Sequence, residues 1–171
     1  MRRSLSALVV LAACSGSADE APDPASFIAF SSSFADFRAW PAFHSDGPAE
    51  GTAPAEVLGP RTQYLNRLPP AGATEFPIGT IVVEARESGA MKIFAGVKRG
   101  AGFNPGGAKD WEWFELTEHA DAPVTIFWRG VGPPAGDTYG GDPDGGCNSC
   151  HAACGAANDY VCSPRLQLGS F

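Results

Sequence analysis

The chain has 171 residues, a formal net charge of -7 and a composition rich in glycine (21) and proline (15). The acidic balance and the lack of a basic run argue against nucleic acid or an anionic surface as partner. Abundant Gly and Pro imply many turns and long loops around one core, and no internal repeat is visible.

Residues 1–13 read as an export signal: Arg2 and Arg3, then an apolar run from Leu5 to Leu11 broken only by Ser6. The run is too short to span a bilayer. It ends Leu11-Ala12-Ala13-Cys14, which resembles a bacterial lipobox in which Cys14 is lipidated. The alternative is an ordinary secretory peptide cut near Ala13, or an uncleaved anchor. Residues 14–22 would then be the lipidated cysteine and a short polar tether. Residues 23–171 form a single domain of about 150 residues. The expected address is a bacterial cell envelope, lipid-anchored and facing the periplasm or exterior, with membrane contact through the anchor alone.

Asp23-Pro24 has the form of an N-cap with proline at the first helical position. Phe27, Phe30, Phe34 and Phe37 follow at helical spacing until Pro41, which predicts an N-terminal helix with an aromatic face. From Gly79 the period changes to two. Residues 79–85, 91–97, 111–116 and 124–129 read as strands punctuated by glycine- and proline-rich turns. A long loop, 130–146, carries Asp137, Asp142 and Asp144, without the regular spacing of a calcium loop. A short helix bearing the last cysteines completes an α+β domain with an antiparallel sheet.

The chemistry concentrates in Cys147-Asn148-Ser149-Cys150-His151. Two thiols at i and i+3 can form thioethers with the vinyl groups of one haem, and the next residue is a histidine that can ligate its iron. On a helical turn the three share a face. Haem c attached at Cys147 and Cys150, with His151 as metal ligand, also agrees with export, because such attachment follows translocation. Of five cysteines, Cys154 and Cys162 remain, and in an oxidising envelope that pair most simply forms a disulfide. The rival reading makes the four C-terminal cysteines a zinc or iron–sulfur site, or two disulfides. No methionine lies between His151 and Phe171; Met91, His44 and His119 are the candidates for a sixth iron ligand. A vacant sixth position, and hence ligand binding or chemistry at iron, is the expectation.

Residues 59–66 (Gly-Pro-Arg-Thr-Gln-Tyr-Leu-Asn) and 76–84 (Phe-Pro-Ile-Gly-Thr-Ile-Val-Val-Glu) resemble the cytochrome P-460 family. So do Val97-Lys98-Arg99, 110–114 (Asp-Trp-Glu-Trp-Phe), the Cys147–His151 motif and Asn158-Asp159-Tyr160-Val161, in the same order from about Phe27 to Pro164. The resemblance implies a sheet-rich, usually homodimeric fold with a five-coordinate c-type haem and His151 as proximal ligand. It also implies one of two functions. In the hydroxylamine-oxidising branch a lysine is joined to the haem edge and a distal carboxylate handles protons, with electrons passing to an external redox partner. In the cytochrome c′-beta branch the cross-link is missing and nitric oxide or carbon monoxide binds in an apolar pocket.

For the cross-link, Lys92 and Lys98 are the candidates; strand alternation puts both on one face with Phe94. For the carboxylate, Glu112 and Glu115 fall on opposite faces of their strand, so only one can face the haem. The bland alternative for all four is a solvated strand face. Cys162 stands where the family usually has an aromatic residue. An electron-transfer cytochrome is the remaining functional alternative.

Overall fold

The computed structural model describes residues 26–47, 59–86, 92–130 and 146–171. The signal segment with Cys14, the Asp23-Pro24 cap, Met91 and the acidic loop at 131–145 lie outside the described residues. The architecture is α+β: an antiparallel six-stranded sheet with short helical pieces. The strands are β1 (Ala42–Ser45), β2 (Arg61–Leu65), β3 (Ile81–Arg86), β4 (Ile93–Lys98), β5 (Trp111–Thr117) and β6 (Thr125–Arg129). Their spatial order equals their chain order, so the sheet is a simple meander.

Both faces of the sheet are covered, which is why its central strands carry little polar–apolar alternation. On one face Ile81, Val83, Ala85, Ile93, Ala95, Val97, Phe114 and Leu116 form a core with Phe34 and Phe37. On the other face Leu65, Trp111 and Trp113 pack with Phe76, Val161, Leu166 and Leu168, and the C-terminal segment covers them.

The phenylalanine run does not form one α-helix. It folds as two 3-10 turns, Ser31–Phe34 and Phe37–Ala39. Three successive serines favour local bonds over a helical ladder; Ser33 Oγ accepts from the Phe30 N–H at 3.1 Å. Asp36 then takes a left-handed φ of 55°, which stops any continuing helix. Phe34 and Phe37 still reach the core, while Phe30 is half exposed.

β1 and β2 lie outside the sequence expectation. In β2 the inward positions are Arg61, Gln63 and Leu65, so two of three buried residues are polar and the hydrophobic period disappears. The polar pair is satisfied across the sheet: Arg61 Nη1 donates to Glu84 Oε1 at 2.6 Å and Gln63 Nε2 to Glu84 Oε2 at 2.9 Å.

The C-terminal helix, α1, spans Gly146–Cys154 and carries the Cys-x-x-Cys-His motif through its first two turns. Cys147, Cys150, His151 and Cys154 follow at i, i+3, i+4 and i+7, one face of the helix. Beyond it the Cys154–Cys162 disulfide, with Cα atoms 5.6 Å apart, ties the end of α1 to the chain that returns beneath the sheet.

Candidate functional site

His151 stands at the centre of the covered face. Its ring stacks on Trp113, with centroids 3.8 Å apart and planes 24° apart. Trp113 in turn stacks on Trp111 at 5.9 Å, and Phe76 meets Trp111 edge-on. The tryptophans lie flat because β4 offers no side chain at Gly96. A Cβ there would come within 2.6 Å of the Trp113 ring.

The imidazole's hydrogen bonding sets its chemistry. Nδ1 lies 2.8 Å from the Tyr160 carbonyl oxygen, which can only accept. The ring proton therefore sits on Nδ1, leaving Nε2 with the lone pair that a metal needs. Burial pushes the His151 pKa below its ordinary value, partly offset by this bond, so the neutral ligand form is the resting one. Cys162 Sγ also lies 3.5 Å from Nδ1, placing the disulfide against the same edge.

Neither thiol of the motif is in a disulfide; Cys147 is half-buried and Cys150 exposed. Cys154 and Cys162 are bonded to each other, so the four cysteines do not present four thiolates. Between the two thiols, Asn148 anchors the motif. Its Oδ1 accepts from Asn104 Nδ2 at 2.5 Å and from the Ala108 N–H at 3.1 Å. Gly107 makes this docking possible, since a Cβ there would lie 2.2 Å from Asn148 Nδ2.

The residues fit a covalently attached haem. The two motif thiols and the histidine share one helical face, and the histidine holds the correct tautomer. The indole N–H of Trp113 is also buried, without a hydrogen-bond partner among the described residues. Each such orphan costs about 1–3 kcal/mol, so a bound group with acceptor atoms would repay part of it.

The sheet separates the four candidates proposed from the sequence. Glu115 lies on the face of Trp111 and Trp113, and its Oε2 accepts from the Trp128 indole N–H at 2.7 Å. Glu112 lies on the other face, opposite Val97 in register, and is wholly buried. Arg129 grips it through Nε at 2.7 Å and Nη2 at 2.8 Å, with Arg99 at 3.3 Å. Glu112 thus lies on the face away from His151, as the buried counter-ion of Arg129.

Lys98 is on the histidine's face, but its Nζ is paired with Asp159 Oδ1 at 2.5 Å and both side chains are nearly inaccessible. Of the two cross-linking candidates, Lys98 is thus the one held in a buried ion pair. Lys92 is exposed, just before β4, and keeps the register of Phe94. Of the alternative iron ligands, His44 pairs with Asp46 at 3.7 Å and is offset by one residue from Phe43, which packs on the tryptophan side. His119 lies past β5, bonded to Thr125 Oγ1 at 2.9 Å.

Sequence reasoning missed Asn148, Asp159 and the Tyr160 carbonyl. Asn148 occupies a variable position of the motif, and a backbone acceptor has no side-chain signature. Comparison with protein-family models, curated proteins and solved structures gave no match.

Proposed function

We propose that this chain is an exported mono-haem c-type cytochrome resembling cytochrome P-460, in which one axial position of the iron takes a small nitrogenous ligand for oxidation. The observation that carries the reading is His151: it follows two cysteines that lie on one face of α1 and are in no disulfide, and its Nδ1 is committed to the Tyr160 carbonyl. When bound, the haem supplies an iron that accepts a ligand and passes electrons to an external acceptor. Cys147 and Cys150 would hold the haem covalently, and His151 Nε2 would ligate its iron. Trp113 holds the imidazole plane, and the Tyr160 carbonyl holds its proton.

Glu115, on the tryptophan face, is the carboxylate available to take protons from hydroxylamine or a similar species. Of the two lysines expected from the sequence, Lys92 is the one outside a buried ion pair and the one we assign to a haem cross-link. The second reading, capture of nitric oxide or carbon monoxide without turnover, is favoured by one observation: Lys98 is locked in its ion pair. A six-coordinate electron carrier is less well supported, because His44 and His119 are bonded elsewhere.

Maturation with a cytochrome c assembly system followed by peptide mass spectrometry tests the reading. Haem on the Cys147–His151 peptide, lost in Cys147→Ala/Cys150→Ala, is expected; an absence of covalent haem overturns it. Hydroxylamine turnover, reduced about 10²-fold or more by Glu115→Gln, would select the enzyme. Ligand binding without turnover would select the binding protein.

A further inference from the structure

The carbonyl that orients His151 belongs to a corner the chain adopts against its own preference. Asp159 and Tyr160 have φ values of 49° and 61°, both left-handed and both bearing side chains. For residues with a Cβ this region is sterically costly, so something must hold them. The Asp159 carboxylate does this from two sides. Its Oδ1 meets Lys98 Nζ at 2.5 Å, and its Oδ2 accepts the Phe76 N–H at 2.9 Å.

Lys98 ends β4, opposite Trp111 in register, and its Nζ lies 5.7 Å from the Trp111 ring centre. The ion pair thus reaches the imidazole by two routes: through the Tyr160 carbonyl to Nδ1, and through Trp111 and Trp113 to the ring face.

We propose that Lys98 and Asp159 are a positioning pair for His151, holding the Asp159–Tyr160 corner so that the Tyr160 carbonyl keeps the proton on Nδ1 and Nε2 free to ligate. This rests on His151 being the axial ligand. Stability alone does not explain the pair. Desolvating two charges offsets most of their attraction, and burial raises the Asp159 pKa despite the neighbouring ammonium. An acceptor on Nδ1–H makes the imidazole a stronger donor, which favours the oxidised iron. The pair would therefore tune the iron without touching it.

The test uses the haem-loaded protein and its Lys98→Met, Asp159→Asn and Lys98→Met/Asp159→Asn variants. Two readouts separate positioning from mere folding: the ferrous iron–histidine stretching frequency and the reduction potential. A lower frequency and a higher potential are expected in every variant that folds. The double variant removes both buried charges together, so it remains informative where a single variant leaves one charge uncompensated and fails to fold. Wild-type frequency and potential in the double variant overturn the proposal. A wild-type protein without an iron–histidine band overturns the axial reading itself, before any variant is compared.

Discussion

Glu112 and Glu115 sit three positions apart in one strand, on opposite faces and with different partners. Alternation put them on different faces, but both faces of β5 are buried, so the pattern could not say which one looks toward the histidine. Arg129 decides it: a fully buried guanidinium can lie beneath the sheet only with a carboxylate against it. Glu112→Gln leaves Arg129 undercompensated and is expected to cost about 3–5 kcal/mol. Glu115→Gln keeps an oxygen for Trp128 and should change stability by less than about 1 kcal/mol; chemical denaturation of the two variants separates them. At the surface, Arg38 donates to Glu118 and holds its carboxyl below the ordinary 4.5. A depressed folded-state pKa contributes stability above pH 4.5 that is lost as pH falls through the lowered value. Because both groups are partly exposed, about 0.2–1 kcal/mol is expected. Glu118→Gln should flatten the acid limb of a stability–pH profile by that amount.

Among the elements, β3 to β6 and α1 were legible because each is regular over its own length. Apolar residues at one parity marked the strands, and cysteine spacing marked the helix. β2 was hidden because Arg61 and Gln63 occupy its inward positions and find their partner, Glu84, only across the sheet. The phenylalanine run misled for a different reason. Its spacing is helical, but Ser31–Ser33 and Asp36 divide it into two turns that seat the same rings. The cysteines of α1 were legible as a motif, whereas the loop that orients His151 was not, because its work is done by a carbonyl and a long-range ion pair. The Cys154–Cys162 bridge closes a sequence separation of 8, for which loop-closure entropy gives about 2–3 kcal/mol. Cys154→Ala/Cys162→Ala should lower the unfolding free energy by that amount. It should also disturb the iron–histidine band, since Cys162 Sγ lies 3.5 Å from Nδ1.

At the scale of the whole molecule, the proposed lipid anchor and the haem domain are separable. Cys14→Ser should release the protein from membranes into the soluble envelope fraction while leaving haem attachment intact; cell fractionation with haem staining checks both. The meander has a consequence of another kind. Each strand bonds only to its neighbours in the chain, so the sheet can zip in the order in which it emerges from a translocation channel, with little loop entropy to overcome. The tryptophan wall is complete once β5 and β6 have paired, while α1 has yet to arrive. The enzyme that stitches haem to Cys147 and Cys150 would then meet two thiols on a slack tail, hanging beside a half-built room. Asn148 would latch into the Asn104 loop afterwards, and the door would close on a cofactor already bolted to it.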